Sequence, residues 1–306
     1  SPPGVEVTGR VPIPEPRSPI PEQWRPAVSE LGSPTERHEA RYAGAAMGTY
    51  LDRILAAHRT AASEDRRELD DLVAAAGAVP ATRGFVRALA AESGVSVIAE
   101  VKRASPSRGT LAADLDPARL AAAYESGGAA CLSVLTDVDF FAGSPADLSA
   151  SRAASRLPVL RKDFTVAAAD VCDARLIGAD AILLIVAALS RSELEELAGL
   201  AVQLGIDALV EVHDETEAAA ALDAGATLVG VNQRDLVTFE VDTTRAERVA
   251  AALPSGVVKV AESGIRGPQD VARLAEAGFD AVLVGESLVT SPDPAAAVAA
   301  LREAGR

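Results

Sequence analysis

Four stretches of the chain close an apolar run with a charged or amide side chain: VIAEVK (97–102), VLRK (159–162), LVEV (209–212) and GVN (230–232). In an extended strand alternate residues share a face, so Ile98, Glu100 and Lys102 fall together. The same rule pairs Leu160 with Lys162, Leu209 with Glu211, and Gly230 with Asn232. Lysine and glutamate in one confined cleft can trade protons with a substrate, because burial and opposite charges move their pKa values in identifiable directions. One polar strand end is ordinary rim solvation or half of a salt bridge. Four in one chain point to a shared acid–base site. Two later turns, Ser263–Gly264 and Gly285–Glu286, suit anion binding instead, because small residues there expose backbone N–H groups to a phosphate. Ser287 adds a hydroxyl. The Glu286 carboxylate would have to turn away, leaving its N–H to bind.

These residues need elements that bring them to one level. From residue 95 onward, aliphatic runs alternate with alanine-rich helical stretches: 95–100, 130–135, 157–161, 180–186, 207–212, 227–231, 257–262 and 280–285. Ser190 with Glu193 forms a capping-box pattern, and Pro268 sits at a first helical position. Glycines 128, 178, 205, 225 and 278 each end a helical stretch just before the next strand, where a left-handed cap is cheap. Eight such units in about 200 residues predict a (β/α)8 TIM barrel rather than an open doubly wound sheet. No Gly-x-Gly-x-x-Gly follows the first strand, which also disfavours a dinucleotide fold. In a barrel the C-terminal strand ends face the site, which is where the four polar ends lie.

Ahead of the barrel, MGTYLDRILAAHRTAASEDRRELDDLVAAA predicts a pair of extra helices. Before them, nine of the eighteen prolines fall in the first 34 residues. The expected organisation is a proline-rich, flexible arm over 1–46 and a single barrel domain with its N-terminal helical extension over 47–306. Aromatics make up only 3% of the chain, so the core must be built from Ala, Val, Leu and Ile. A net charge of -15 disfavours nucleic acid or an anionic membrane as partner, while leaving room for a small anion bound by local donors. Cys131 and Cys172 have neither disulfide-framework nor metal spacing, which fits a reducing cytoplasm. No stretch reads as a signal peptide or a membrane span. His38 and His58 fall outside the strands, His213 follows Glu211, and no metal-binding motif is present. No cofactor and no metal are expected.

The chain resembles indole-3-glycerol phosphate synthase over roughly residues 49–303. The resemblance is carried by IAEVKRASPSRG (98–109), PVLRKDF (158–164), LLIVAAL (183–189), ALVEVH (208–213), GVNQRDL (230–236), AESGI (261–265) and VGESL (284–288). It implies closure of the indole ring of 1-(2-carboxyphenylamino)-1-deoxyribulose 5-phosphate with loss of carbon dioxide and water. By the same resemblance Lys162 is the general acid on the ribulose carbonyl oxygen, and Glu211 the base in the later dehydration. Lys102 contacts substrate and neutralises its charge, Glu100 orients the lysines, Asn232 holds polar groups, and Arg234 supports the carboxylate end. Ser105 lies on the first loop. Ser263, Gly264, Gly285 and Glu286 match phosphate-binding positions, and Phe141, Phe164, Leu183, Leu209 and Leu236 match an apolar wall for the aromatic ring. The implied partner is a small phosphorylated molecule, acted on by a monomer or weak homo-oligomer.

Two departures stand out. The family usually runs Asp-Pro-Tyr-Gln after RKDF, where this chain has VAAAD, and Gln233 stands where Asn is common. They leave open a paralogue acting on a modified substrate. A phosphoribosylanthranilate isomerase would need a cysteine or aspartate pair at the first and fifth strands, where Glu100, Lys102 and Glu211 stand. A lysine Schiff-base aldolase would be trapped by borohydride. A non-catalytic barrel scaffold would have no use for the set Lys102, Lys162, Glu211 and Asn232.

Overall fold

A computed structural model of the chain describes residues 49–91, 93–106, 108–235 and 239–306. The proline-rich arm and Leu236 lie outside the described residues. Eight strands form one closed parallel sheet: β1 (Ser96–Val101), β2 (Cys131–Leu135), β3 (Val159–Lys162), β4 (Ala181–Ile185), β5 (Asp207–Val212), β6 (Leu228–Asn232), β7 (Val258–Glu262) and β8 (Ala281–Val284). Each pairs with its neighbour in sequence, and β1 closes the ring by pairing Ser96–Ala99 with Ala281–Val284 of β8. The expected (β/α)8 barrel is the observed one, and all eight strands fall on the predicted runs. The capping box of Ser190 and Glu193 opens the helix Arg191–Leu204, and Pro268 is the first residue of Pro268–Glu276. The five punctuating glycines all take positive φ, the conformation that costs other residues most.

Among the described residues three helices precede the barrel, one beyond the pair picked out in the sequence: α1 (Tyr50–Glu64), α2 (Leu69–Ala78) and α3 (Phe85–Leu89). The extra one is short and closes the barrel floor. Phe85 and Leu89 are buried in the cluster that holds Ile98, Cys131, Leu160, Ala181, Leu209, Leu228 and Val260. Its start is tied down by acids at the foot of the strands: Asp180 accepts the Arg83 N–H at 2.6 Å and Asp207 accepts the Val86 N–H at 3.0 Å. Tertiary packing rather than propensity makes this five-residue turn.

The first helix does the opposite job, at the barrel mouth. Tyr50 packs edge-on against Phe140 and Phe239, and His58 Nε2 lies 2.8 Å from Asp137 and 3.9 Å from Asp163. Burial alone would lower the His58 pKa, but the hydrogen bond that Asp137 accepts from it and the charges of Asp163, Asp137 and Asp170 raise it above 6.5. A histidine with a raised folded pKa adds stability that is fully present below 6.5 and fades as pH rises through its folded value. The substitution His58→Leu should therefore cost more stability at pH 6 than at pH 9. Thermal unfolding of both proteins at the two pH values checks this; an equal loss at both would contradict it.

Candidate active site

The register of the strands brings the polar ends to one ring. Glu100 stands beside Ser133, Ile185 beside Glu211, Glu211 beside Gly230, and Asn232 beside Glu262. Above them opens a cavity of about 350 Å³. Glu100, Lys102, Lys162, Glu211, Asn232 and Arg234 all line it, as do Ser105, Phe141, Phe164 and Leu183. So do both turns, through Ser263, Gly264, Gly285, Glu286 and Ser287. Leu209 does not: it is fully buried one layer down, in the core cluster with Leu183. Alternation put it on the right face but could not say at what depth.

The sequence reading missed Glu262. Lys162 Nζ lies 2.7 Å from Glu211 Oε2 and 2.9 Å from Glu262 Oε2, so one ammonium joins two buried carboxylates. Val260 and Glu262 repeat the alternation of Leu209 and Glu211 at the end of VVKVAE, and that signal would have found it. Asn232 Nδ2 donates to Glu211 Oε1 at 2.9 Å, and Asn232 Oδ1 accepts the Arg234 N–H at 3.0 Å. Lys102 forms a separate pair with Glu100, whose second oxygen is 3.5 Å from the Ser133 hydroxyl.

Charge follows from this arrangement. Burial pulls the Lys162 pKa down, but Glu211, Glu262 and Glu100 outweigh it and hold the lysine well above its usual range. Glu211 is buried too, yet Lys162, His213 and the Asn232 amide keep its carboxyl well below the ordinary value. Glu262 goes the other way: burial and the nearby charges of Glu211 and Glu100 prevail over Lys162 and push it up to about 7. One ammonium cannot fully compensate two buried carboxylates. Glu262 Oε1 has no hydrogen-bond partner among the described residues.

Glycine is needed where these groups crowd. A Cβ on Gly230 would collide with the Glu262 carboxylate, and one on Gly285 would collide with Glu100 and come within 3.0 Å of Lys102 Nζ. The two turns are stitched together: Ser287 Oγ donates to the Ile265 carbonyl at 3.2 Å, and Gln233 Nε2 donates to the Ser263 carbonyl at 2.7 Å. Ser263 holds φ 67°, a left-handed conformation rarely kept without such support. The Glu286 carboxylate pairs with Arg108 of the first loop at 3.0 Å. That loop carries a small hairpin in which Ala104–Ser105 pairs with Gly109–Thr110.

Phe141 and Phe164 face each other across the cavity wall with centroids 6.3 Å apart, and His58 backs Phe164 at 5.4 Å. Ala167 starts the helix Ala168–Leu176 without a side-chain cap. Asp170 accepts the N–H groups of Val166 and Ala167 instead, each at 2.9 Å, so the alanines leave the turn hydrogen-bonded. Among the described residues one group of ligand-type atoms, His58, Asp137 and Asp163, is tight enough to consider for a metal. Its members are already engaged: His58 with Asp137, Asp137 with the N–H groups of Phe140 and Phe141, and Asp163 with Arg161 and Thr136. A cation there would have to displace the Arg161 guanidinium.

Lysines and carboxylates converging at the C-terminal mouth of a closed parallel barrel define an acid–base enzyme of the (β/α)8 class. The family model for indole-3-glycerol phosphate synthase matches residues 51–301. Indole-3-glycerol phosphate synthases of Mycobacteroides abscessus and Streptomyces griseus are 54% and 53% identical to the chain, over 84% and 83% of it and 95% of each relative. The chain belongs to the indole-3-glycerol phosphate synthase family, decarboxylating and dehydrating lyases of tryptophan biosynthesis. Among solved structures, a thiamine phosphate pyrophosphorylase from Pyrococcus furiosus superposes with a TM-score of 0.52 at 16% identity, over 69% of this chain and 94% of that one. An N-acetylmannosamine-6-phosphate 2-epimerase from Clostridium perfringens gives 0.51, also at 16%, over 65% and 89%. At that identity the likeness is one of fold. Among the described residues no helix is long and apolar enough to cross a membrane.

The packing at Gly230 is testable. The substitution Gly230→Ala should destabilise the protein by about 1–3 kcal/mol, as overpacked cores do, and lower turnover by displacing Glu262. Melting curves and kcat report both; wild-type values for each would contradict the close approach of glycine and carboxylate.

Proposed function

We propose that this barrel closes the indole ring with Lys162 as general acid and Glu211 as general base, on 1-(2-carboxyphenylamino)-1-deoxyribulose 5-phosphate. The observation that carries the assignment is the part-buried Lys162 amine, hydrogen-bonded to Glu211 and Glu262 at the floor of the cavity, where the two carboxylates favour its ammonium form. Ring closure joins a weakly nucleophilic ring carbon to a carbonyl carbon, and negative charge develops on the carbonyl oxygen. Lys162 meets that oxygen with a proton, at a place where water is scarce and an ammonium acts strongly. Loss of carbon dioxide restores the aromatic ring and leaves an amino alcohol, whose hydroxyl takes a proton from a lysine ammonium of the site, recharged from solvent, and departs as water to complete the indole. Glu211, held ionised, takes the ring proton in that step.

The remaining residues bind and orient. Lys102 offsets the substrate carboxylate while Glu100 holds the lysine in place. Arg234 supports that same end, and Asn232 fixes Glu211. The phosphate takes the N–H groups of Gly264, Gly285 and Glu286 with the hydroxyls of Ser263 and Ser287, and Ser105 closes over it. Anchoring a distant phosphate lets binding energy hold the reacting carbons together. Phe141, Phe164 and Leu183 flank the aromatic ring, with Leu209 supporting them from below. Beyond the small phosphorylated substrate no nucleic acid is engaged; the net charge of -15 supports this. The protein works in the cytoplasm as a monomer or weak homo-oligomer.

Purified protein given the ribulose phosphate, without added metal, should produce indole fluorescence. The substitution Lys162→Ala should lower kcat by about 10²-fold or more, the usual contribution of a positioned acid. Absence of product from folded wild-type protein would sink the activity; near-normal turnover of the variant would show that another group is the acid.

A further inference from the structure

Glu211 is approached from two sides. On the cavity side stand Lys162 and Asn232, as described. From the other side comes His213, which does not line the cavity. Its Nδ1 lies 3.0 Å from Glu217 Oε2, and its own backbone N–H donates to that same oxygen at 2.7 Å. Glu217 belongs to the first turn of the helix Glu215–Asp223, and its N–H is capped by Asp214 at 2.8 Å, so the carboxylate is well anchored. A carboxylate only accepts hydrogen bonds, so the ring hydrogen sits on Nδ1.

That fixes what Nε2 faces. It lies 3.6 Å from Glu211 Oε1, buried, with no hydrogen-bond partner among the described residues. The separation is beyond a hydrogen bond, and a buried ring nitrogen left unpaired is costly. If Nε2 carries no hydrogen, two lone pairs confront each other across the gap. A proton on Nε2 turns the same gap into an attraction that a small movement of either side chain can close.

We propose that His213, clamped by Glu217, is a positioning residue that acts through Glu211: with Nε2 protonated it holds Oε1 as an ionised acceptor, and with Nε2 bare it frees Oε1 to take a proton from the substrate. The inference rests on the reading of Glu211 as the base of the reaction. The charged groups that bear on His213 are Glu211 on the strand that ends just before it, Glu217 on the following helix, and Arg245 on the helix Arg245–Ala250. On the cavity side Lys162 links Glu211 to Glu262. Burial and Arg245 lower its pKa while Glu217 and Glu211 raise it, and the balance is a rise above 6.5. The free-base form is thus populated only once pH passes the raised pKa, and there Glu211 should work best.

The experiment is the pH dependence of kcat for wild type and for Glu217→Gln, with imidazole NMR titrations of the same proteins. Wild-type kcat should rise with pH along a limb whose midpoint matches the His213 titration. Removing the anionic clamp should move both midpoints to lower pH, by about one unit or more. His213→Asn should abolish that limb. A purely structural role would lower kcat equally at every pH and leave the limb in place, which would overturn the inference. So would a wild-type kcat that stays flat through the His213 titration, a result that needs no variant. Glu211→Gln separates the two readings. If it retains wild-type kcat, Glu211 is not the base. If it is inactive while Glu217→Gln leaves the limb unmoved, only the role of His213 falls.

Discussion

Lys162 places a full positive charge at the mouth of a barrel whose lower layer is filled by aliphatic side chains. Removing an ammonium from water costs several kcal/mol, and the cost is recovered only if carboxylates meet it with good geometry. Glu211 and Glu262 do so from β5 and β7, two strands and four strands further round the ring. Most of the upper barrel follows from that constraint. Gly230 has no side chain because Glu262 occupies the space, and Asn232 points inward because Glu211 has a second oxygen to satisfy. The pair Glu100 and Lys102 adds one charge of each sign and leaves the local balance unchanged.

The imbalance is built in. Two carboxylates share one lysine, so they are driven apart in proton affinity, Glu211 down and Glu262 up. Fixed differences of this kind let one site hold an acid and a base at the same pH. The stability cost is accepted at the mouth of the barrel and offset by the apolar layer beneath. There Ile98, Leu160, Leu209 and Val260 pack into one buried cluster with the plug formed by Phe85 and Leu89.

The rim is organised by hydrogen bonds rather than by packing. Asp137 gathers the N–H groups of Phe140 and Phe141 and the ring of His58, which ties the second loop to the first helix. Gln233 and Ser287 do the same for the two turns at Ser263–Gly264 and Gly285–Glu286. Loops held this way keep their backbone donors oriented before a ligand arrives, which lowers the ordering cost of binding.

Local pattern was enough for the barrel. Eight aliphatic runs, the glycines that end the helices and the cap at Ser190 are each decided by near neighbours along the chain, and each appears where expected. Alternation likewise identified Glu100, Lys102, Lys162, Glu211 and Asn232, because a two-residue period fixes which face a side chain takes. It did not single out Glu262, though the period was present, and it could not separate Leu209 in the core from Leu183 at the cavity. Depth along a barrel depends on the stagger between strands, which no single strand records. The floor helix at Phe85, the hold of His58 on Asp137 and the approach of His213 to Glu211 were settled only by tertiary structure. Each joins groups whose contact depends on closure of the ring and on how its flanking elements pack, and no short stretch of sequence records either.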